Sequence, residues 1–164
     1  MMAYANGDFT TAENYFKQAA SKNANAPEVN TNLGYIEMVK GNVANAETYL
    51  SKSTGANTAN EALGNLYIKQ GQYDRAVQAF GDTKTNSAAL AQILAKDYNK
   101  AKNTLNAVQN PDAYTDYLMA IVGARTNNAD LVKTSMAKVA QKDATLAAKA
   151  QNDREFAKYA NEIK

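Results

Sequence analysis

The chain has 164 residues, of which 45% are hydrophobic and 21% charged, and its formal net charge is +2. These proportions are near those of folded proteins, so disorder over the whole chain is not expected. Cysteine and histidine are absent, which excludes disulfides, thiolate chemistry and the usual zinc sites. Basic and acidic residues are interspersed, so the charge pattern does not favour nucleic acid. The longest strongly apolar run, 117–124, is too short to cross a bilayer.

A short motif occurs three times in the first half of the chain. It consists of a glycine, an aromatic or aliphatic residue two positions later, and an alanine three positions after that, and it begins at Gly7, Gly41 and Gly71. Gly7 and Gly41 are 34 residues apart. A fixed period of this length is typical of a helical repeat protein, in which each repeat packs on the next.

The first elements in chain order are a helix at 8–22 and a helical hairpin at 27–53. The hairpin begins at Pro27, because proline is favoured in the first turn of a helix, and its first helix ends at Gly41. The helix at 8–22 has no first helix before it, so 7–22 is interpreted as a partial repeat. We therefore expect the chain to be the C-terminal part of a larger protein.

Further hairpins are predicted at 57–81, 85–109 and 111–140, followed by capping helices at 143–164. Because the spacing between repeats shortens after residue 80, the first helix of the hairpin at 85–109 must be short. A repeat array needs a terminal element that is apolar on one side only. That side can be supplied by Leu146, Phe156, Tyr159 and Ile163. All these segments are interpreted as one domain, 1–164.

The hairpin at 57–81 resembles the tetratricopeptide repeat (TPR) family. The family's large, small, aromatic, turn, aromatic, small and aromatic positions are matched by Leu63, Gly64, Tyr67, Gly71, Tyr73, Ala76 and Phe80. The same frame is matched one repeat earlier by Leu33, Gly34, Gly41, Val43, Ala46 and Leu50. There, Glu37 takes a position that is usually aromatic, which predicts looser packing. The resemblance implies an all-α, right-handed superhelical solenoid of antiparallel helical hairpins that is irregular toward the C-terminus.

TPR proteins hold peptides or parts of other proteins in a concave groove built from the first helix of each hairpin, and the resemblance implies a similar groove here. Transferred by register, the candidate groove residues are Tyr35, Met38, Asn65, Ile68, Lys69, Tyr117, Ile121 and Arg125. Some relatives grip a terminal carboxylate with Lys, Asn and Arg residues, and Asn65, Lys69 and Arg125 form an incomplete set of this kind.

The alternative role of these residues is structural. Tyrosines at helical spacing commonly pack within and between repeats, and Tyr67 and Tyr73 are assigned to the core. Tyr35 and Tyr117 are assigned equally to packing and to ligand contact. Isolated cations such as Lys69 and Arg125 are commonly solvated surface charges.

The sequence is therefore interpreted as a non-catalytic scaffold that binds a peptide or protein segment, including another part of its own parent chain, on its concave face. We expect no cofactor, no metal and no membrane span. A nucleic-acid-binding helical array is the first alternative, although its basic stripe would have to include the helices that carry Glu28, Glu37 and Glu61. An enzyme fragment is the second.

Two residue sets were considered for catalysis. Asp112 and Asp116 would share a helix face, but capping of a helix start explains them more simply. Ser135 with Lys133 or Lys138 as a base is a chance combination. The sequence does not determine the compartment; the lack of cysteine and the expected truncation favour a bacterial cell envelope or periplasm over the cytoplasm.

Overall fold

The computed structural model describes residues 8–53 and 57–163, and every regular element within them is helical. This confirms the predicted all-α class and its helical hairpins. The chain divides into two compact units, Met1–Phe80 and Gly81–Lys164, and the single domain over 1–164 stays a prediction. Across the described ranges, no helix is long and apolar enough to cross a membrane.

The first unit is built from two helical hairpins and one helix before them. Its described helices are α1 (Phe9–Lys22), α2 (Pro27–Val39), α3 (Val43–Ser51), α4 (Asn57–Lys69) and α5 (Tyr73–Phe80). Helices α2 and α3 form the first hairpin and α4 and α5 the second, while α3 packs on α4 and α2 also contacts α4. Helix α1 packs on α2, as the second helix of a preceding hairpin would.

The second unit contains two further hairpins and a terminal segment. Its described helices are α6 (Asn86–Leu94), α7 (Tyr98–Asn106), α8 (Ala113–Arg125), α9 (Ala129–Lys142), α10 (Ala144–Ala150) and a 3₁₀ helix (Arg154–Tyr159). The first helix of the hairpin predicted at 85–109, α6, has only nine residues. Helices α7 and α6 both pack on α8, and the 3₁₀ helix packs on α8 as well.

Each α-helix of the second unit starts at a residue whose side chain accepts a hydrogen bond from a backbone N–H in the first turn. These residues are Thr85, Asp97, Asp112, Asn128 and Asp143. Such caps satisfy amides that have no partner within the helix. Asp112 also makes the reciprocal bond, since its own N–H donates to Oγ1 of Thr115 at 3.2 Å. The capping role inferred for Asp112 is therefore confirmed.

The same turn joins the two helices of every described hairpin. One residue at each turn has a left-handed backbone, with φ of 78° at Gly41, 73° at Gly71, 66° at Lys96 and 54° at Asn127. The next N–H then donates back to the first helix, to the carbonyls of Glu37, Tyr67, Gln92 and Gly123, at 2.8–2.9 Å. Glycine adopts this conformation without a side-chain penalty, whereas lysine does not. The turn geometry thus persists after the glycine motif has ended.

Replacing Lys96 by glycine is expected to raise the free energy of unfolding by about 0.5–1 kcal/mol, because the left-handed strain is relieved. The Lys96 side chain is exposed, so little packing is lost. The opposite change at the equivalent turn, Gly71→Ala, should lower the free energy of unfolding by about 1 kcal/mol. Urea denaturation measures both changes, and a destabilised Lys96→Gly variant would contradict the equivalence of the two turns.

Small residues let the two helices of each hairpin cross closely. A Cβ atom placed on Gly64 would lie 2.5 Å from Cε2 of Phe80, and one on Gly34 would lie 2.6 Å from Cγ of Leu50. The side chains that occupy this space, Phe80 and Leu50, are both buried. The hairpins of the first unit therefore depend on the missing side chain at the crossing point.

Counting back from the hairpin turn locates the equivalent crossing residues in the second unit. They are alanines, Ala89 on α6 and Ala120 on α8, and both are fully buried. The residues equivalent to Phe80 are Leu105 on α7 and Met136 on α9, which are also buried. In all four hairpins, the equivalent positions thus carry a small residue on the first helix and a large one on the second.

The Gly64→Ala variant is expected to lose about 1–3 kcal/mol of stability, because the added methyl group overlaps the Phe80 ring in a packed core. The adjacent half-buried Asn65 provides the control, and Asn65→Ala should change stability by no more than about 0.5 kcal/mol. Chemical denaturation of both variants tests this, and equal stabilities would show that the crossing is not tightly constrained.

The two tyrosines assigned to the core differ in the structure. Tyr67 is only 5% exposed, but Tyr73 is 36% exposed, so its assignment to the core is wrong. Tyr73 is the first residue of α5, and side chains in a helix lean toward its N-terminus. No preceding turn of α5 covers the ring, and the core positions of this helix are Ala76 and Phe80 instead.

Candidate functional site

The candidate groove residues of the first unit lie at equivalent positions on α2 and α4. Tyr35 and Asn65 directly follow the crossing glycine of their helix, Met38 and Ile68 come three residues later, and Lys69 ends α4. Because α2 and α4 are in contact, equivalent positions on them belong to one continuous surface. We call this set of five residues the α2–α4 surface.

The α2–α4 surface combines apolar, amide and cationic groups. Tyr35, Met38, Asn65 and Ile68 are half-buried, and Lys69 is exposed. Among the described residues, the Asn65 amide has no hydrogen-bond partner and the Lys69 ammonium has no ion-pair partner. An asparagine side chain offers both a donor and an acceptor, and a lysine offers only donors. Neither polar group is thus paired within the described chain.

The candidate residues of the second unit, Tyr117, Ile121 and Arg125, are spaced four apart on α8 and share one face. The chain's own C-terminal segment, residues 153–163, covers that face. The Tyr117 hydroxyl donates a hydrogen bond to Asp153. The edge of one ring meets the face of the other between Tyr117 and Phe156, with centroids 5.5 Å apart and an interplanar angle of 86°.

Arg125 is held by the same segment. Its Nε donates to Oε2 of Glu155 at 3.1 Å, and its Nη2 pairs with the other carboxylate oxygen. Nη1 lies 3.4 Å from the carbonyl oxygen of Ile93 on α6. The hydrogen bond to Glu155 raises the pKa of the Arg125 guanidinium above its usual value. The pKa of Tyr117 is also raised, first by burial and then by its hydrogen bond to Asp153.

The four apolar residues expected to cap the array lie in one cluster. Phe156, Tyr159 and Ile163 are buried there with Met136 of α9, and Leu146 packs against them. Tyr117 and Ile121 also pack against this cluster. Sequence reasoning found these apolar residues but missed the acidic partners of Tyr117 and Arg125. The available signal was a pair of carboxylates, Asp153 and Glu155, directly before an aromatic residue that a cap must bury.

A separate polar cluster lies where α1 meets the end of α2. The Glu13 carboxylate is 7% exposed and pairs with Lys17 at 2.5 Å and with Lys40. The hydrogen bond from Lys17, with a second from Lys40, holds the pKa of the Glu13 carboxyl below its usual value despite burial. A general acid requires a raised pKa, so this carboxylate has the character of a structural ion pair.

Glu37, which replaces the usual aromatic residue, is 5% exposed. Its Oε2 accepts hydrogen bonds from the side-chain amides of Asn42 at 2.9 Å and Asn45 at 3.2 Å. In the next hairpin Tyr67 occupies the equivalent position, and its hydroxyl donates to Glu47 at 3.0 Å. The polar group at this position is thus satisfied within the hairpin in one case and by the preceding hairpin in the other.

The pKa of Glu13 is lower in the folded chain than its ordinary value of 4.5. Its ion pairs therefore stabilise the fold above about pH 4.5, and this contribution is lost as the pH falls through the folded-state pKa. We expect Glu13→Gln to lower stability at pH 7 and to make the loss of stability in acid less steep. Urea denaturation from pH 7 to pH 3 measures this, with the exposed Glu28→Gln as control; parallel profiles for Glu13→Gln and the unmodified chain would contradict it.

Of the residues considered for catalysis, Asp116 is in an ion pair and Ser135 is buried. Asp116 accepts a hydrogen bond from Nζ of Lys142 at 2.7 Å. Ser135 is buried on α9, and no hydrogen bond joins it to Lys133 or Lys138. In the part of the chain that the structure describes, no group of three acidic residues is arranged to hold a metal ion.

Comparisons with known proteins agree with the hairpin geometry. The tetratricopeptide repeat family matches residues 3–62 by one family model and 58–81 by another. The fold is similar to the crystal structure of YrrB, a TPR protein with an unusual peptide-binding site, with a TM-score of 0.70. The two share 16% sequence identity, and the match covers 90% of each chain. No curated protein sequence matches the chain significantly. Residues 3–81 thus match the tetratricopeptide repeat family, and the fold of the chain is similar to that of a TPR protein.

Proposed function

We propose that the chain is a non-catalytic scaffold that binds an extended peptide or protein segment on its α2–α4 surface. The TPR fold and the similarity to a peptide-binding TPR protein support protein–protein interaction in general. The observation that carries the specific proposal is that Asn65 and Lys69 have no partner in the described chain, while the half-buried apolar residues Met38 and Ile68 lie on the same two helices.

The spacing of the two helices suits an extended ligand. Packed helices lie about 8–10 Å apart, and an extended chain advances about 3.3 Å per residue. A segment crossing from α2 to α4 would therefore place side chains about three residues apart on the two helices. Apolar side chains of the ligand contact Tyr35 and Met38 on α2, and Ile68 on α4.

The polar groups can orient a bound peptide and select its chemistry. The Asn65 amide can donate to a ligand carbonyl and accept from a ligand N–H, which matches a peptide backbone. Lys69 pairs with a carboxylate, either an acidic side chain or a terminal carboxyl group. The ligand class is thus an extended segment with apolar residues and one acidic group. The parent chain itself is one source of such a segment.

Nucleic acid fits this surface less well. Glu28 and Glu61 lie on the same two helices and are exposed and half-buried, respectively. Their carboxylates would repel a phosphate backbone, and Lys69 is a single cation among them. A stripe of cations is needed for strong phosphate binding.

The proposal predicts that peptides selected on the full chain from a random displayed library will need both helices of the α2–α4 surface. Tyr35→Ala with Asn65→Ala should weaken binding of the selected peptides at least about tenfold, because an aromatic contact and two backbone hydrogen bonds are lost. Fluorescence anisotropy of labelled peptides gives the dissociation constants.

Gln78→Ala is the matched control, because Gln78 is exposed on α5, the second helix of its hairpin. It should leave the dissociation constants unchanged. Circular dichroism must show that all variants keep their helix content. Enrichment of no peptide, or equal binding by the double variant and the control, would refute the proposed surface.

A further inference from the structure

The contact between α8 and the C-terminal segment has the form of a bound ligand. Among the described residues, four hydrogen-bonded pairs join the segment to α8 and the turn that follows it. The pairs are Asp153 with Tyr117, Glu155 with Arg125, Tyr159 with the carbonyl of Ala124 at 3.3 Å, and Lys158 with Asn127 at 3.0 Å. The segment therefore follows α8 along its length.

The covered face of α8 corresponds to the open surface of α4. The carbonyl that receives the turn hydrogen bond belongs to Tyr67 in α4 and to Gly123 in α8. Lys69 and Arg125 each come two residues later. Lys69 on α4 has no ion-pair partner among the described residues, whereas Arg125 at the equivalent position on α8 is paired with Glu155.

Helix α8 contacts a specific set of side chains in the segment. Glu155 presents both carboxylate oxygens to two nitrogens of Arg125, and such bidentate pairing recognises geometry as well as charge. Asp153, two residues earlier, accepts from the Tyr117 hydroxyl. Phe156, directly after Glu155, packs at nearly a right angle to the Tyr117 ring. The motif is an acidic residue, any residue, an acidic residue and an aromatic residue.

Six residues of the segment, Arg154–Tyr159, form a 3₁₀ helix, whose hydrogen-bond geometry is poorer than that of an α-helix. The Arg125 and Glu155 side chains keep 28% and 31% of their surface exposed, so water reaches the ion pair. Order in the segment consequently depends on its contacts with α8 and the adjoining apolar cluster.

We propose that Asp153–Tyr159 is an autoinhibitory segment that occupies α8 as an intramolecular ligand. A partner protein binds this surface by presenting the same motif, two carboxylates one residue apart followed directly by an aromatic residue, in place of the chain's own segment. This inference rests on the α8 contacts and does not depend on the α2–α4 surface, so either proposal can fail alone.

The test uses a labelled peptide with the sequence of residues 152–163, added to the full chain. The variant Asp153→Asn with Glu155→Gln removes both charges of the internal segment, and asparagine can still cap the 3₁₀ helix as Asp153 does at 2.9 Å. Because an internal ligand competes at high effective concentration, the variant should bind the peptide at least about tenfold more tightly than the unmodified chain.

Two controls distinguish recognition of the two carboxylates from a general loss of order in the segment. Glu162→Gln removes a charge from the same terminal segment, and no hydrogen bond or ion pair joins Glu162 to α8 in the described structure. This control should bind the peptide no better than the unmodified chain. Adding Arg125→Ala to the double variant should weaken peptide binding at least about tenfold, because the bidentate pair is lost.

Anisotropy titrations measure binding, and circular dichroism monitors the fold. The proposal is overturned if the folded double variant binds the peptide no more tightly than the unmodified chain, or if Arg125→Ala has no effect. Hydrogen exchange on the unmodified chain provides a test that needs no variant. Amides of 153–163 should exchange through local opening, faster than those of α8 and α9; exchange only by global unfolding would show that the segment is a fixed part of the core.

Discussion

Every described hairpin depends on a close crossing of its two helices. At the crossing a small residue on the first helix faces a large one on the second, such as Gly64 opposite Phe80. A Cβ at 2.5 Å from the ring cannot be accommodated without moving one helix. The turn adds a second constraint, because one left-handed residue and one returning hydrogen bond determine where the second helix begins. Together these constraints define equivalent positions in four hairpins of different spacing.

The same geometry determines which first-helix residues reach solvent. Positions toward the crossing, such as Leu33 and Ile36, are fully buried, while Tyr35 and Met38 on the same helix remain half-buried. These outer positions are less buried than the core positions, so packing constrains their chemistry less. Tyr35 on α2 and Asn65 on α4 differ for this reason. Binding selectivity in such a scaffold resides in residues that the fold does not require.

The two units use these outer positions differently. On α4 the cation Lys69 has no ion-pair partner within the described residues, whereas Arg125 at the equivalent position of α8 is paired with Glu155. The difference arises from the terminal segment, which supplies carboxylates as well as the apolar side chains of Phe156 and Tyr159. A cap that buries only apolar groups would still contact α8 but would leave Arg125 without its carboxylate partner. The charged contacts give the cap the properties of a ligand.

The sequence alone determined the helical class and the repeat frame of the first unit, because glycine at the turn and at the crossing is required by backbone geometry and is visible as a motif. It also placed Tyr117, Ile121 and Arg125 on one face, since helical spacing is local. Only the tertiary structure identified the later turns, where Lys96 and Asn127 replace glycine, and the later crossings at Ala89 and Ala120. Only the tertiary structure showed that Tyr73 is exposed and that Asp153 and Glu155 pair with α8. Contacts between residues about 30 positions apart in sequence depend on how the helices pack, and no local pattern in the chain predicts them.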